Sequence, residues 1–169
     1  MESSPLILLA AGGTGGHLFP AEALGVELIR RGFRVRLATD SRALRYSGLF
    51  SKDTIDVVPS ATVRGRTPWS LAYTGAMLAA GTGVSLNLMR RLKPAAVVGF
   101  GGYPTLPPLL AARLSGVPGI VHEANAVLGR ANRFLSNRVS AIATSLPGVL
   151  DRDPELAAKT PLLRMRSLV

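Results

Sequence analysis

The sequence predicts an α/β domain with a doubly wound parallel sheet, on three observations. Short apolar runs alternate with longer helical stretches, and the joints between them are rich in Gly and Pro; this is the pattern of repeated strand–helix units. Runs such as Ala95–Gly99 are apolar throughout, as suits strands covered on both faces. The chain has 169 residues, 47% apolar and 18% charged, which is enough for one sizeable core and too few for a comfortable pair.

Taken in order, Pro5 to Ala11 is a first, fully buried strand that runs into Gly12-Gly13. The opening MESSPLILLA lacks a basic n-region and reads as this strand, not as a signal peptide. A helix starts near Pro20, a residue tolerated in a first turn, and runs through Ala23, Leu24, Leu28 and Ile29. Gly32 caps it just after Arg30 and Arg31. Phe33 to Thr39 alternates polar and apolar residues and so lies nearer an edge. Further strands are expected at Thr54–Val58, Ala95–Gly99, Gly119–His122 and Ala141–Ala143, with helices over 68–92, 104–115 and 129–136. Residues 1–150 form the domain and 151–169 a tail.

Thr67 to Met89 carries no charge and is long enough to cross a bilayer. Its Gly, Pro and polar residues, with basic residues on both flanks (Arg64, Arg66; Arg90, Arg91, Lys93), argue instead for a crossover helix broken at Gly81-Thr82-Gly83. At 100° per residue, Trp69, Tyr73, Met77, Ala80, Val84 and Leu88 share one stripe. Leu71, Leu78 and Met89 fall on the other side, where such a helix normally meets water. Trp69, Leu71 and Leu78 are therefore a candidate membrane patch; burial under neighbouring loops is the other reading.

Lys and Arg number 20 against 10 Asp and Glu, a formal charge of +10, which points to anionic partners. Aromatics are only 5%, with one Trp, so a nucleic-acid partner is disfavoured. The absence of Cys excludes disulfides, Cys-ligated zinc and thiol catalysis. With two His in the chain, no metal site is expected.

Ala10-Ala-Gly-Gly-Thr-Gly-Gly-His17 follows the first strand and opens the first helix. Glycines allow close backbone approach, and a helix N-terminus offers unpaired N–H groups and partial positive charge, so the loop suits a diphosphate. It is not the dinucleotide fingerprint: counted from Gly13 and Gly15, the third glycine falls at Leu18. Asp40, after the second strand, is all that favours a dinucleotide. No Gly-Lys-Ser/Thr follows, so a P-loop is excluded.

Gly99-Phe-Gly101-Gly102-Tyr103-Pro104 repeats the design after the fourth strand. Two such loops at neighbouring strand ends line one crevice. His17 at a helix N-terminus is biased towards the neutral imidazole, able to accept a proton. His122-Glu123-Ala-Asn125 ends the fifth strand and is expected to face the same crevice. Glu123 suits a sugar hydroxyl or a loop N–H, and Asn125 a hydroxyl or phosphate; a structural turn serves equally for each. Arg64, Arg66, Arg130 and Arg133 add positive potential near the rim.

GGTGGHLFPA, VRGR, LKPAAVVGFGGYPTLPPLLAA and PGIVHEANAVLGRANR resemble, in order and spacing over about residues 5–150, the amino-terminal half of the MurG family. These are the bacterial undecaprenyl-diphospho-muramoylpentapeptide β-N-acetylglucosaminyltransferases. The resemblance implies a Rossmann-like domain, the N-terminal half of a two-domain GT-B glycosyltransferase. It also implies transfer of N-acetylglucosamine from UDP-GlcNAc to the C4 hydroxyl of lipid I, giving lipid II, with no metal and no cofactor. The place of work would be the cytoplasmic face of the bacterial inner membrane, peripherally, on an acidic lipid surface.

Carried over by motif, Thr14, Gly15 and Gly16 match the loop that touches the donor, and Asn125 a donor-contacting Asn. Gly101, Gly102 and Tyr103 match the loop that, together with the first loop, holds the acceptor diphosphate. His17 matches the candidate base; catalysis is left between His17 and Glu123.

The Gly-Asn-Pro-x-Arg motif that leads into the family's second domain is missing, and Arg164, near the right distance, is not assigned its role. The chain is thus expected to be inactive alone. It would be a fragment, a decayed copy, or one subunit of a split enzyme whose other half is a separate chain. The alternative is a non-catalytic module binding diphosphate and acidic lipid.

Overall fold

The computed structural model describes residues 4–12, 14–42, 48–62, 67–151, 153–159 and 162–164. Gly13 and Arg64–Arg66 lie outside the described residues. The strands are β1 (Leu6–Ala10), β2 (Arg34–Thr39), β3 (Ile55–Val57), β4 (Ala96–Gly99), β5 (Gly119–Glu123), β6 (Ala141–Thr144) and β7 (Leu162–Arg164). The helices are α1 (Gly15–Arg30), α2 (Pro68–Leu92), α3 (Leu106–Leu114), α4 (Arg130–Ser136) and α5 (Pro154–Lys159).

All sheet pairings are parallel, in the order β3-β2-β1-β4-β5-β6-β7. The predicted doubly wound sheet is therefore present. From β1 the chain winds outward through α1 to β2 and β3, then α2 carries it back to β4 on the other side of β1. The C-terminal ends of β1 and β4 thus flank the point where winding reverses, the place such sheets offer a crevice.

Alternation along the strands sorts the core into two layers. Ile7 and Leu9 pack with Val35, Leu37 and Val98 against Leu18 and Ala21 of α1. Leu8, Val97 and Val121 face the other way, onto Leu88 and Met89 of α2, Leu109 of α3 and Leu135 of α4. Asp56 on β3 is buried and takes Arg36 of β2 at 2.7 Å and Arg91 of α2 at 3.1 Å.

Three expectations are corrected. The first helix begins at Gly15, with Thr14 extended as its N-cap (φ −124°, ψ 148°), and Pro20 lies inside it. Pro20 has no N–H to bond back to the Gly16 carbonyl, but Gly16 is exposed, so that carbonyl is not buried without a partner.

Second, α2 is unbroken across Gly81–Gly83. A Cβ on Gly81 would lie 2.1 Å from the Pro59 carbonyl oxygen and 2.9 Å from Cγ of Pro107, so this glycine permits close packing. Third, the faces of α2 are partly reversed. The buried seam is Gly81, Ser85, Leu88 and Met89, Leu78 packs against the core, and Trp69 and Tyr73 are 85% and 62% exposed. Small residues seat the C-terminal half deeply, while the apolar side chains of the first turns stay outside.

In addition, β7, for which no strand is expected from the sequence, pairs in parallel with β6. Among the described residues no helix is long and apolar enough to cross a membrane.

Candidate functional site

The two glycine loops meet over the first turn of α1. The N–H of Phe100 donates to the carbonyl of Ala10 at 2.8 Å, and that of Gly12 to Gly101 at 3.2 Å. Gly101 and Gly102 have φ of +96° and +78°, the left-handed region where a Cβ is strained. The Thr105 hydroxyl donates to the Gly102 carbonyl at 2.8 Å and closes the turn.

His17 fills the space between the loops. A Cβ on Gly12 would stand 3.1 Å from its Nδ1, and one on Gly101 3.2 Å from its Nε2. The glycines therefore make room for an imidazole as well as for a ligand. Nδ1 lies 2.9 Å from the Thr14 hydroxyl. When Nδ1 holds the proton and donates it there, Nε2 is left as the acceptor.

Burial lowers the His17 pKa, with the Glu123 charge opposing, so the ring is neutral at neutral pH. Beside it, the N–H groups of Gly15 and Gly16 begin α1 with no backbone acceptor among the described residues. A Cβ on Gly16 would meet nothing within 4 Å. This helix end is open to an anion.

Glu123 has another task in the structure. Only 2% exposed, its Oε1 accepts from the backbone N–H and side-chain amide of Asn125 at 2.9 and 2.8 Å. Its Oε2 accepts from Gly129 N–H at 2.9 Å and the Asn132 amide at 2.8 Å. Burial pushes the carboxyl up, but these four bonds together outweigh it and hold the pKa below its ordinary value. All four donors belong to the stretch after β5, so Glu123 ties that loop down and orients Asn125.

A cleft of about 260 Å³ joins these parts, lined by His17, Gly101, Gly102, Tyr103, Asn125 and Arg130 among others. Thr14, Gly15 and Gly16 precede His17 at the start of α1 but are not among its lining residues.

Other expected residues lie elsewhere. Strand alternation turns His122 away from Glu123, so it does not face this crevice. It is buried against Phe100, with its Nε2 3.0 Å from the Ser145 hydroxyl. Burial lowers its pKa, against the Glu123 charge. Arg133 turns to Asp153 at 3.4 Å. Asp40, the sole support for a dinucleotide, is engaged by Arg42 at 2.5 Å.

Asn132 was missed. Its amide reaches both the His122 carbonyl and Glu123, and an Asn nine residues downstream inside a helix gives no local signal. Arg130 was foreseen only as a rim charge, yet it lines the cleft.

The family model described as the glycosyltransferase family 28 N-terminal domain matches residues 7–144. A Nitrobacter winogradskyi protein is 79% identical over 159 residues. It is named UDP-N-acetylglucosamine–N-acetylmuramyl-(pentapeptide) pyrophosphoryl-undecaprenol N-acetylglucosamine transferase. A Rhodopseudomonas palustris (strain BisB5) protein of the same name is 78% identical over 160 residues. The matches cover 94% and 95% of this chain but only 43% and 44% of those relatives, so the chain spans less than half their length.

Among solved structures, Acinetobacter baumannii MurG superposes with a TM-score of 0.73 at 32% identity, covering 86% of this chain and 43% of that one. A Streptomyces glycosyltransferase, SsfS6, shares the fold at a TM-score of 0.63 and 16% identity, covering 97% and 54%.

Proposed function

The chain belongs to the glycosyltransferase family 28 N-terminal domain family, and from that premise we propose that it is the acceptor-binding half of an inverting N-acetylglucosaminyltransferase. The donor is UDP-GlcNAc and the acceptor lipid I, a muramoyl sugar on a polyprenyl diphosphate; the product is lipid II of peptidoglycan. The observation that carries this reading is the half-buried imidazole of His17 held between two glycine loops at an open helix N-terminus, where burial favours its neutral form.

The N–H groups of Gly15 and Gly16, the Gly101-Gly102-Tyr103 loop and the Arg130 charge hold the acceptor diphosphate. Nε2 of His17 takes the proton from the C4 hydroxyl as that oxygen attacks the anomeric carbon of the donor sugar. The bond from that carbon to the diphosphate breaks, and UDP leaves with the electron pair. Asn125, fixed by Glu123, contacts the donor, and Glu123 is a positioning residue. The remaining donor contacts come from the length of the relatives that this chain does not cover, in the same or a separate chain.

Trp69, Leu71 and Tyr73, exposed at the start of α2, rest on the acidic lipid of the cytoplasmic membrane face, while Leu78 serves the core. The test is a chimera joining residues 1–150 to the remaining length of the Nitrobacter relative. It should transfer N-acetylglucosamine from UDP-GlcNAc to lipid I, whereas the 169-residue chain alone should not. A folded chimera without transfer would count against the reading.

A further inference from the structure

The cleft at His17 does not end at Arg130. A second hollow, also about 260 Å³, shares Tyr103, Arg130 and Ala131 with it and continues between α2, α3 and α4 to Leu78, Leu106 and Phe134. A third, about 360 Å³, shares Ser60, Ala61 and Thr74 with the second and opens beside Tyr73. The character of the walls changes along this trough. Backbone, Asn125 and Arg130 line the first part, mostly aliphatic and aromatic side chains the second, and polar side chains such as Asp40, Arg42 and Ser70 the third, with Tyr73 at its edge. The outlet lies on the half of α2 where Trp69 and Tyr73 are exposed.

We propose that the middle hollow binds the first isoprenoid units of the lipid-linked acceptor. The inference rests on the diphosphate reading of the glycine loops. A lipid-linked sugar diphosphate has two substituents. The sugar must lie at Nε2 of His17, so the prenyl chain leaves from the other phosphate. Its first carbons are water-averse, and the hollow bounded by Leu78, Leu106 and Phe134 is the apolar space that adjoins the cleft. Arg130 stands at the junction, without a carboxylate partner among the described residues, where the lipid-side phosphate would sit. From there the chain passes Thr74 and Leu78 onto the exposed start of α2 and into the bilayer.

The experiment titrates inorganic diphosphate, geranyl diphosphate and farnesyl diphosphate into the 169-residue chain, following calorimetry and the fluorescence of its single Trp, Trp69. Geranyl diphosphate should bind at least tenfold more tightly than inorganic diphosphate, with a smaller further gain for farnesyl. Thr74→Trp, which fills the hollow from a partly exposed helix position, should abolish that gain and leave inorganic diphosphate affinity within twofold. Phe134→Ala, at the rim, should reduce it several-fold. Equal affinities for the prenylated and inorganic ligands, or a gain that survives Thr74→Trp, would overturn the subsite and leave the diphosphate reading standing. No binding of inorganic diphosphate would overturn both.

Discussion

Glu123→Gln separates a structural carboxylate from a catalytic one. Two donors converge on each oxygen, all at 2.8–2.9 Å. An amide keeps one oxygen as acceptor but turns a donor towards the other pair. At least two charge-assisted bonds are lost, each worth about 1.5–3 kcal/mol, so the cost is about 3–6 kcal/mol. For a chain of this size that lowers Tm by roughly 6–24 °C. The assay is thermal and urea unfolding of the 169-residue chain, followed by circular dichroism. The chimera carrying the same change should lose activity mainly through weaker UDP-GlcNAc binding, as Asn125 loosens. A Tm within 2 °C of the parent, with kcat collapsed and donor KM unchanged, would refute the positioning role and return Glu123 to the chemistry.

Three further outcomes follow from the same geometry. Gly81→Val drives a branched side chain at the rigid Pro59 carbonyl and should cost at least ~1–3 kcal/mol; Gly83→Ala, in open space on the same helix, should stabilise by up to about 1 kcal/mol. His17 and His122 both titrate below 6.5 in the folded chain, so the unfolded chain binds more protons there. Tm should therefore fall as pH drops below 6.5 through their folded values, and the Glu123 contribution, present above 4.5, should be lost as pH falls through its still lower folded value. His122→Phe should flatten the upper limb in a pH series of melts. Trp69→Ala with Leu71→Ala should cut sedimentation with anionic vesicles about tenfold or more without moving Tm by more than 2 °C, and raised salt should weaken binding of the parent chain.

Strand and helix alternation made the sheet legible, because a parallel strand buried on both faces has few ways to look other than Leu6–Ala10 or Ala96–Gly99. The glycine loops were legible for a similar reason: close approach and positive φ narrow the residue choice sharply. What escaped depends on tertiary placement. Gly81 looked like a helix break because its partner, the Pro59 carbonyl, is far away in sequence. Periodicity gave the stripes of α2 but not which one faces inward, since a seam of Gly81 and Ser85 has almost no hydrophobic signal. His122 and Glu123 were read together because they are adjacent, whereas a strand sends neighbours to opposite faces. Nothing in the sequence said that four donors would close on Glu123, so its part in the chemistry could only be left open beside that of His17.

The central claim, that His17 is the base held between two diphosphate-binding loops, is tested most directly by steady-state kinetics of the chimera with His17→Ala. The account predicts a kcat lower by about 10²–10⁴-fold and a KM for lipid I within a fewfold of the parent. It also predicts loss of the acidic limb that a base titrating below 6.5 gives the pH–rate profile. A kcat within threefold of the parent with that limb intact would contradict it.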